Sequence, residues 1–191
     1  MYEFLSDMYQ RFRLSRATER LEAAPQGDGR GIIVIPGNMA SDFHTTNLRL
    51  FLNEIGYNAY GWNCGINTGY NCGWEDKVVD IAWHCRNGTQ QKVSLIGWSL
   101  GGAQACRLAA EYPNLFDKVI SIGGMLKGMV ENEIHEETYS IYSKDDTIVR
   151  WLNSKPEGIK TNEVSGGHWA MMNNPDVYEA VARFLVGGTK A

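Results

Sequence analysis

A serine stands at the centre of a glycine motif suited to nucleophilic chemistry. The motif reads Gly97-Trp98-Ser99-Leu100-Gly101, conforms to the pattern G-x-S-x-G, and is followed by Gly102. A buried strand is predicted before it and a small-residue helix after it, so that the glycines permit a sharp strand-to-helix turn. Such a turn strains the serine and lifts its hydroxyl above the sheet, beside the N–H groups of the helix N-terminus. We therefore predict that Ser99 is a nucleophile; the alternative is an ordinary tight turn with a solvated serine.

A serine nucleophile needs a general base, and on this kind of turn the chain order is serine, carboxylate, histidine. His44 and His84 precede Ser99 and do not fit this order. His135 lies in an acidic segment and is expected to be a solvated surface residue. His168 lies in a glycine-rich loop between the last predicted strand and the last predicted helix, where α/β proteins build their sites. We predict that His168 is the base.

The carboxylate that orients this base is expected just after the strand that ends near Ser143. Two adjacent aspartates, Asp145 and Asp146, stand at that position. Because successive residues in a turn point in different directions, only one of them can face His168. The other is expected to cap the turn or to face solvent.

Strands and helices alternate along the chain. Continuous apolar runs typical of strands buried on both faces are separated by helical patterns, which predicts an α/β fold with a mostly parallel sheet between helices. The last helix is expected to begin after an N-cap at Asn174 with Pro175 in its first turn. The predicted strands are residues 32–35, 58–63, 93–96, 119–122, 138–143 and 160–164.

The N-terminal residues 2–21 are predicted to form an amphipathic helix. Leu5, Met8, Tyr9 and Phe12 recur at helical spacing, and this apolar stripe is expected to pack on the edge of the sheet. A surface that binds lipid or a partner protein is the alternative for the same stripe.

The length of 191 residues predicts one domain, residues 1–191, with residues 1–24 as an N-terminal helical segment. Hydrophobic residues make up 43% and charged residues 21% of the chain, which excludes a disordered protein. The net charge of −4 argues against nucleic acid as a partner. No window approaches the length of a membrane span and residues 1–21 lack the apolar core of a signal peptide, so we expect a cytoplasmic protein.

Four cysteines, Cys64, Cys72, Cys85 and Cys106, are expected to be free thiols. A Cys64–Cys72 bridge within one loop is an alternative. A zinc site made by Cys64, Cys72, His84 and Cys85 would require two adjacent ligands, an unusual spacing, so we predict no metal.

Further segments follow one order along the chain: Pro36-Gly37-Asn38-Met39-Ala40-Ser41-Asp42, Gly56-Tyr57 leading to Trp62, and Gly65-Ile66-Asn67-Thr68-Gly69. With the motif around Ser99 and the loop of His168, they resemble the α/β-hydrolase superfamily, and most closely its small bacterial esterase/lipase-like branch. The resemblance covers nearly the whole chain after residue 30. The resemblance implies an α/β-hydrolase fold with about six strands and a minimal cap, because the connection over residues 124–137 is short. The usual first two antiparallel strands have no candidate here. Residues 141–151, and His168 followed by Asn174-Pro175, carry the same resemblance.

The resemblance also assigns roles within the site. In the family's pattern the acid is the aspartate three residues before a valine, here Val149, and this selects Asp146. The oxyanion hole is implied to use the N–H of Leu100 and that of a residue in the turn after the first strand, Asn38 first and Met39 next. Trp98, with Trp62, Met39 and Trp169, is a candidate for lining an apolar acyl site; core packing is the alternative for each.

The implied function is a serine hydrolase that cleaves small-molecule carboxylic esters with Ser99, Asp146 and His168 and without a cofactor. Acyl transfer or thioester cleavage by the same residues is an alternative. A non-catalytic binding protein with this fold is a second alternative.

Overall fold

Six parallel strands form the single sheet of this computed structural model, which describes residues 2–69, 73–129 and 133–187. The spatial order is β2-β1-β3-β4-β5-β6, and every neighbouring pair is parallel. The predicted parallel sheet of about six strands is therefore confirmed. The strands are β1 (Gly31–Ile35), β2 (Asn58–Gly61), β3 (Val93–Trp98), β4 (Phe116–Ile122), β5 (Thr138–Ser143) and β6 (Lys160–Val164).

Helices cover both faces of the sheet. Alternate residues of β1 enter different cores: Ile32 and Val34 pack with residues of α3 and α7, whereas Ile33 and Ile35 pack with residues of α4 and α5. This strand is apolar throughout because both of its faces are buried. The helices are α1 (Tyr2–Ser15), α2 (Thr18–Glu22), α3 (Thr46–Glu54), α4 (Trp74–Thr89), α5 (Leu100–Glu111), α6 (Trp151–Ser154) and α7 (Pro175–Val186), with 3₁₀ helices at Asp42–Thr45 and Ala170–Asn173.

The start of α7 agrees with its predicted capping residues. The side chain of Asn174 accepts a hydrogen bond of 2.9 Å from the N–H of Asp176, and Pro175 is the first helical residue. The cap satisfies one of the N–H groups that have no partner within the helix.

The predicted orientation of the N-terminal helix is wrong. The apolar stripe of α1 faces outward, with Leu5, Met8, Tyr9 and Phe12 each more than half exposed, whereas Gln10 on the opposite face is 1% exposed. The opposite face is polar and is held by specific hydrogen bonds, described below. A periodic stripe shows that two faces of a helix differ, but the partners available in the fold decide which face turns inward.

The predicted solvent exposure of His135 is also wrong. His135 is 7% exposed, and its Nδ1 accepts a hydrogen bond of 3.2 Å from the N–H of Glu137. Its carbonyl oxygen accepts a buried hydrogen bond from the hydroxyl of Thr138 at the start of β5. Burial lowers the pKa of the imidazole, because the charged form loses its hydration.

Some expectations concern residues outside the described ranges. Cys72 lies among residues 70–72, so the structure describes neither the Cys64–Cys72 bridge nor the zinc alternative. His84 is exposed on α4, whereas the adjacent Cys85 is buried. Within the described ranges, every helix is too short or too polar to cross a membrane. The assignment of residues 1–191 to one domain, with 1–24 as its helical segment, stays a prediction.

Candidate active site

Four loops meet at one edge of the sheet, where the carboxyl ends of the parallel strands lie. Ser99 follows β3, Asp146 follows β5 and His168 follows β6, while residues 36–40 form the turn after β1. In the strand order, β3 lies between β1 on one side and β5 and β6 on the other. The loop of Ser99 therefore lies between the turn after β1 and the loops of Asp146 and His168. The fold therefore brings the predicted site residues to one edge.

Ser99 occupies a strained strand-to-helix turn. Its backbone angles are φ 56° and ψ −121°, in a region that residues other than glycine rarely adopt. A β-carbon added at Gly97 would overlap the backbone of Gly101, and one added at Gly101 would overlap the carbonyl of Ile35. The two motif glycines are therefore required by close backbone approach, and the serine between them is half-buried at the end of β3.

His168 and Asp146 form a buried pair. The Nδ1 of His168 lies 2.7 Å from the Oδ2 of Asp146, and the two side chains are 3% and 2% exposed. The other carboxylate oxygen, Oδ1, accepts hydrogen bonds of 2.8 Å from the N–H groups of Ile148 and Val149. An ionised carboxylate only accepts hydrogen bonds, so the imidazole proton belongs on Nδ1 and Nε2 is left with a free lone pair. The pair has the arrangement of an oriented general base.

The neighbouring aspartate has a different partner. Asp145 is exposed, and its Oδ2 accepts a hydrogen bond of 3.0 Å from the N–H of Gly166 in the histidine loop. The structure therefore distinguishes the two candidates that the residues alone left open: Asp146 contacts the imidazole and Asp145 contacts the loop backbone.

Two glycines after β4 lie between the serine and the histidine. A β-carbon added at Gly124 would stand 3.1 Å from the carbonyl oxygen of Ser99, and one at Gly123 would stand 3.5 Å from Cε1 of His168. The N–H of Ser99 also donates to the carbonyl of Ile122, at 2.9 Å. The serine and the histidine thus flank one Gly–Gly step, which sequence reasoning did not single out although the pair follows a predicted strand directly.

The turn after β1 lies against the serine. A β-carbon added at Gly37 would be 3.0 Å from Cβ of Ser99, tighter than an ordinary contact, so the missing side chain at Gly37 favours this close approach. The N–H of Met39 donates to the carbonyl of Asn67 at 2.7 Å, which removes Met39 from the candidates for oxyanion donor. The N–H of Asn38 donates to no acceptor among residues 2–69, 73–129 and 133–187. The two N–H groups of this turn therefore differ in that the one at Met39 is already bonded to Asn67.

Tryptophans form one wall beside the histidine. The ring of Trp98, which is 1% exposed, lies 5.5 Å from the ring of His168 and 4.8 Å from that of Trp169. Trp62 does not belong to this wall: it is fully buried in the core, and its Nε1 donates to the carbonyl of Gly65. The expectation that Trp62 lines the site is therefore wrong.

A cavity of about 380 Å³ lies beside this wall, lined in part by Trp98, Trp169, Phe4, Phe43 and His44. The ring of His44, which chain order excluded as the base, lies 5.8 Å from that of Trp169. The sequence did not predict this position beside the cavity. Met39 is 63% exposed.

The polar face of α1 lies across the histidine loop. The carboxylate of Glu3 accepts hydrogen bonds from the hydroxyl of Thr147, at 2.6 Å, and from the N–H of Trp169, at 3.2 Å. The hydroxyl of Ser6 accepts the N–H of Gly167 at 2.8 Å. The helix thus connects the turn that holds Asp146 to the loop that holds His168, a role that its apolar stripe did not predict.

The chain is similar to known proteins in sequence and in structure. The family model described as alpha/beta hydrolase fold matches residues 63–137. No curated protein sequence matches the chain.

Solved structures with the same fold cover most of the chain. A CIB-like hydrolase from Thermoplasma acidophilum has 20% identity and a TM-score of 0.64, over 82% of this chain and 86% of that chain. An α/β serine hydrolase without a lid from Xanthomonas campestris has 17% identity and a TM-score of 0.62, over 88% of each chain. A metagenome-derived lipolytic enzyme has 14% identity and a TM-score of 0.66, over 85% of this chain and 96% of that chain. The chain has the α/β-hydrolase fold, and its resemblance to that superfamily is confirmed.

Proposed function

We propose that this chain, which has the α/β-hydrolase fold, is a serine hydrolase that cleaves carboxylic esters with Ser99, His168 and Asp146. The observation that carries the proposal is the buried contact of 2.7 Å between Nδ1 of His168 and Asp146, on the same sheet edge as a serine in a strained turn. A buried carboxylate–imidazole pair is a costly arrangement for a fold to retain without a use, because both groups lose hydration.

The reaction divides into two transfers of the acyl group. The Oγ of Ser99 bonds to the acyl carbon while Nε2 of His168 takes the hydroxyl proton, and the imidazolium then gives that proton to the leaving alcohol as its C–O bond breaks. Water attacks the resulting acyl-enzyme, with His168 as base, and releases the acid and the free serine hydroxyl. The net change is ester plus water to acid plus alcohol, and these steps require no cofactor.

Two backbone N–H groups are suited to hold the negative charge that develops on the acyl oxygen. Leu100 is the first residue of α5, where the N–H groups have no partner within the helix and the helix dipole is positive. The N–H of Asn38 comes from the turn that touches the serine. Donors fixed before the reaction stabilise the oxyanion without reorganisation, which is the largest contribution in many acyl-transfer enzymes.

The substrate side of the proposal is a small-molecule ester. The exposed part of Trp169 and the cavity that it lines with Phe43 offer apolar surface for an acyl or alcohol group. The connection over residues 124–137 is too short for a large lid. Hydrolysis and acyl transfer share the first step and differ in whether water or another nucleophile takes the acyl group. Product analysis in the presence of added alcohol or thiol acceptors separates the two.

Replacing the nucleophile tests the proposal. We expect Ser99→Ala to lower the kcat for p-nitrophenyl acetate by about 10⁶, as triad knockouts do elsewhere, with an unchanged circular dichroism spectrum. An organophosphonate probe should label the wild-type protein and not this variant. Ser15→Ala, which removes an exposed hydroxyl at the end of α1, is the control and should keep wild-type activity and labelling. If Ser99→Ala kept a tenth of the turnover, the proposed mechanism would be wrong.

A further inference from the structure

One motif from the sequence has no role in the chemistry described so far. The segment Gly65-Ile66-Asn67-Thr68-Gly69 follows β2, and its central residue, Asn67, is completely buried. A buried asparagine away from a helix cap is costly unless its amide is fully hydrogen-bonded. The partners of Asn67 therefore indicate what it does.

The side chain of Asn67 connects three elements. Its Nδ2 donates to the carbonyl of Pro36 and to Oε1 of Gln104, both at 2.7 Å. Its Oδ1 accepts the N–H of Gly69 at 3.0 Å. Gln104 lies on α5, the helix that starts directly after the serine, so the amide links that helix to the turn that begins at Pro36.

The backbone of Asn67 holds the same turn at two further points. Its carbonyl accepts the N–H of Met39, and its N–H donates to the carbonyl of Ala40, each at 2.7 Å. Met39 has a φ of 57°, a left-handed conformation that costs free energy for a residue other than glycine. The hydrogen bond from the N–H of Met39 to Asn67 offsets part of that cost. The shape of the turn therefore depends on Asn67.

The other side of the turn packs closely against the serine turn. A β-carbon added at Gly37 would press on Ser99, and one added at Gly101 would overlap the carbonyls of Ile35 and Pro36. The turn therefore lies between the serine turn, which it approaches closely, and Asn67, which binds it by hydrogen bonds. Asn38 lies between Gly37, which approaches Ser99, and Met39, which binds Asn67. These two neighbours determine the position of the Asn38 N–H.

We infer that Asn67 is a positioning residue for the oxyanion hole, which it serves by holding residues 36–40 in the conformation that leaves the Asn38 N–H for the acyl oxygen. Asn67 does not touch the substrate in this role. The inference rests on the proposed function, and it assigns a task to a residue outside the three catalytic side chains and the two N–H donors.

The test compares Asn67→Asp with Thr138→Val. Asn67→Asp keeps an acceptor for Gly69 but places an oxygen against the carbonyl of Pro36. Thr138→Val also removes a buried bond from a side chain to a carbonyl, that of His135, on β5 and away from the turn. We expect Asn67→Asp to lower the kcat for p-nitrophenyl acetate by about 10- to 100-fold, less than the loss of a whole oxyanion donor, with a KM changed less than about threefold. Thr138→Val should keep the wild-type kcat.

Binding of phenylboronic acid separates a role in positioning from one in stability. Its tetrahedral adduct with Ser99 places an oxygen in the oxyanion hole, so its affinity should fall by the same factor as kcat/KM in Asn67→Asp. An unchanged boronate affinity, or a kcat equal to that of Thr138→Val, would overturn the inference. Should Asn67→Asp not fold, Gln104→Met removes one partner of the same amide, and an unchanged boronate affinity there overturns the inference as well.

Failure of the proposed function has a different signature. If the wild-type protein neither hydrolyses p-nitrophenyl acetate nor reacts with the organophosphonate probe, the serine hydrolase proposal is wrong, and the role of Asn67 is wrong with it. If the wild-type protein does both and Asn67→Asp matches it, only the role of Asn67 is wrong.

Discussion

Exchanging each of the two adjacent aspartates for asparagine tests the site most sharply. Oδ1 of Asp146 accepts two backbone N–H groups and Oδ2 faces Nδ1 of His168. An asparagine at position 146 has only one oxygen, which can face either the backbone N–H groups or the imidazole. If the oxygen keeps the two N–H groups, its NH₂ group donates to Nδ1 of His168. If the oxygen faces the imidazole instead, the NH₂ group meets the N–H donors of Ile148 and Val149.

The first arrangement is favoured because it preserves both hydrogen bonds from the backbone, whereas the second places the NH₂ group against the two N–H donors and loses both bonds. A hydrogen bond donated to Nδ1 requires the imidazole proton on Nε2, and Nε2 can then no longer accept the proton of Ser99. The corresponding aspartate-to-asparagine change in a serine protease triad costs about 10⁴ in kcat, or roughly 5 kcal/mol. We expect a loss of that order for Asp146→Asn.

Asp145→Asn supplies the matched control. Asp145 has the same charge, lies one residue away and accepts the N–H of Gly166, which the oxygen of an asparagine can also accept. We expect a change of less than about tenfold, because the residue is exposed and its charge is screened. The assay is the kcat for p-nitrophenyl acetate near neutral pH, with circular dichroism to establish folding. A large loss at Asp145 and a small one at Asp146 would refute the assignment of the acid.

Two further predictions concern the substrate and the pH dependence of stability. Because the connection over residues 124–137 is short, p-nitrophenyl acetate should be turned over faster than p-nitrophenyl palmitate; a rate that rises sharply when the substrate forms micelles would contradict this. The depressed pKa of His135 means that the unfolded chain, with an imidazole pKa of about 6.5, binds more protons, so the free energy of unfolding should fall as the pH drops below that value. His135→Asn keeps an acceptor for the N–H of Glu137 and cannot titrate. In urea unfolding, the free energy of unfolding of this variant should fall less steeply with decreasing pH than that of the wild-type protein. Equal pH slopes for the two proteins would refute the role given to His135.

The local sequence pattern was sufficient to predict a feature where the residue type has a single structural use. The glycines at 97 and 101 predicted a strand-to-helix turn, and the structure shows that any β-carbon there would overlap the backbone. The cap at Asn174 and the apolar run of β1 were readable for the same reason, since each is decided by neighbouring residues or by burial on both faces. These features require no knowledge of which elements pack together.

Pairings between distant elements were not readable in this way. Asp145 and Asp146 have the same chemistry, so the two residues by themselves left the choice open. The family's spacing to Val149 selected Asp146, and the course of the turn after β5 places its carboxylate against His168. His135 was expected in solvent because its neighbours are acidic, but its burial follows from the position of the chain before β5. The apolar stripe of α1 was expected to be buried, whereas the histidine loop offers hydrogen-bond partners that the polar face satisfies.

The sequence by itself determined the alternating elements, the parallel sheet, the strained serine and the histidine that could serve it, because periodicity, glycine sterics and chain order are properties of the local chain. Tertiary structure alone decided that Asp145 binds the N–H of Gly166, that Met39 gives its N–H to Asn67, and that the polar side of α1 faces inward. A hydrogen bond depends on distances within a few tenths of an ångström, and residues far apart in the chain acquire such distances only when the strands and loops are assembled.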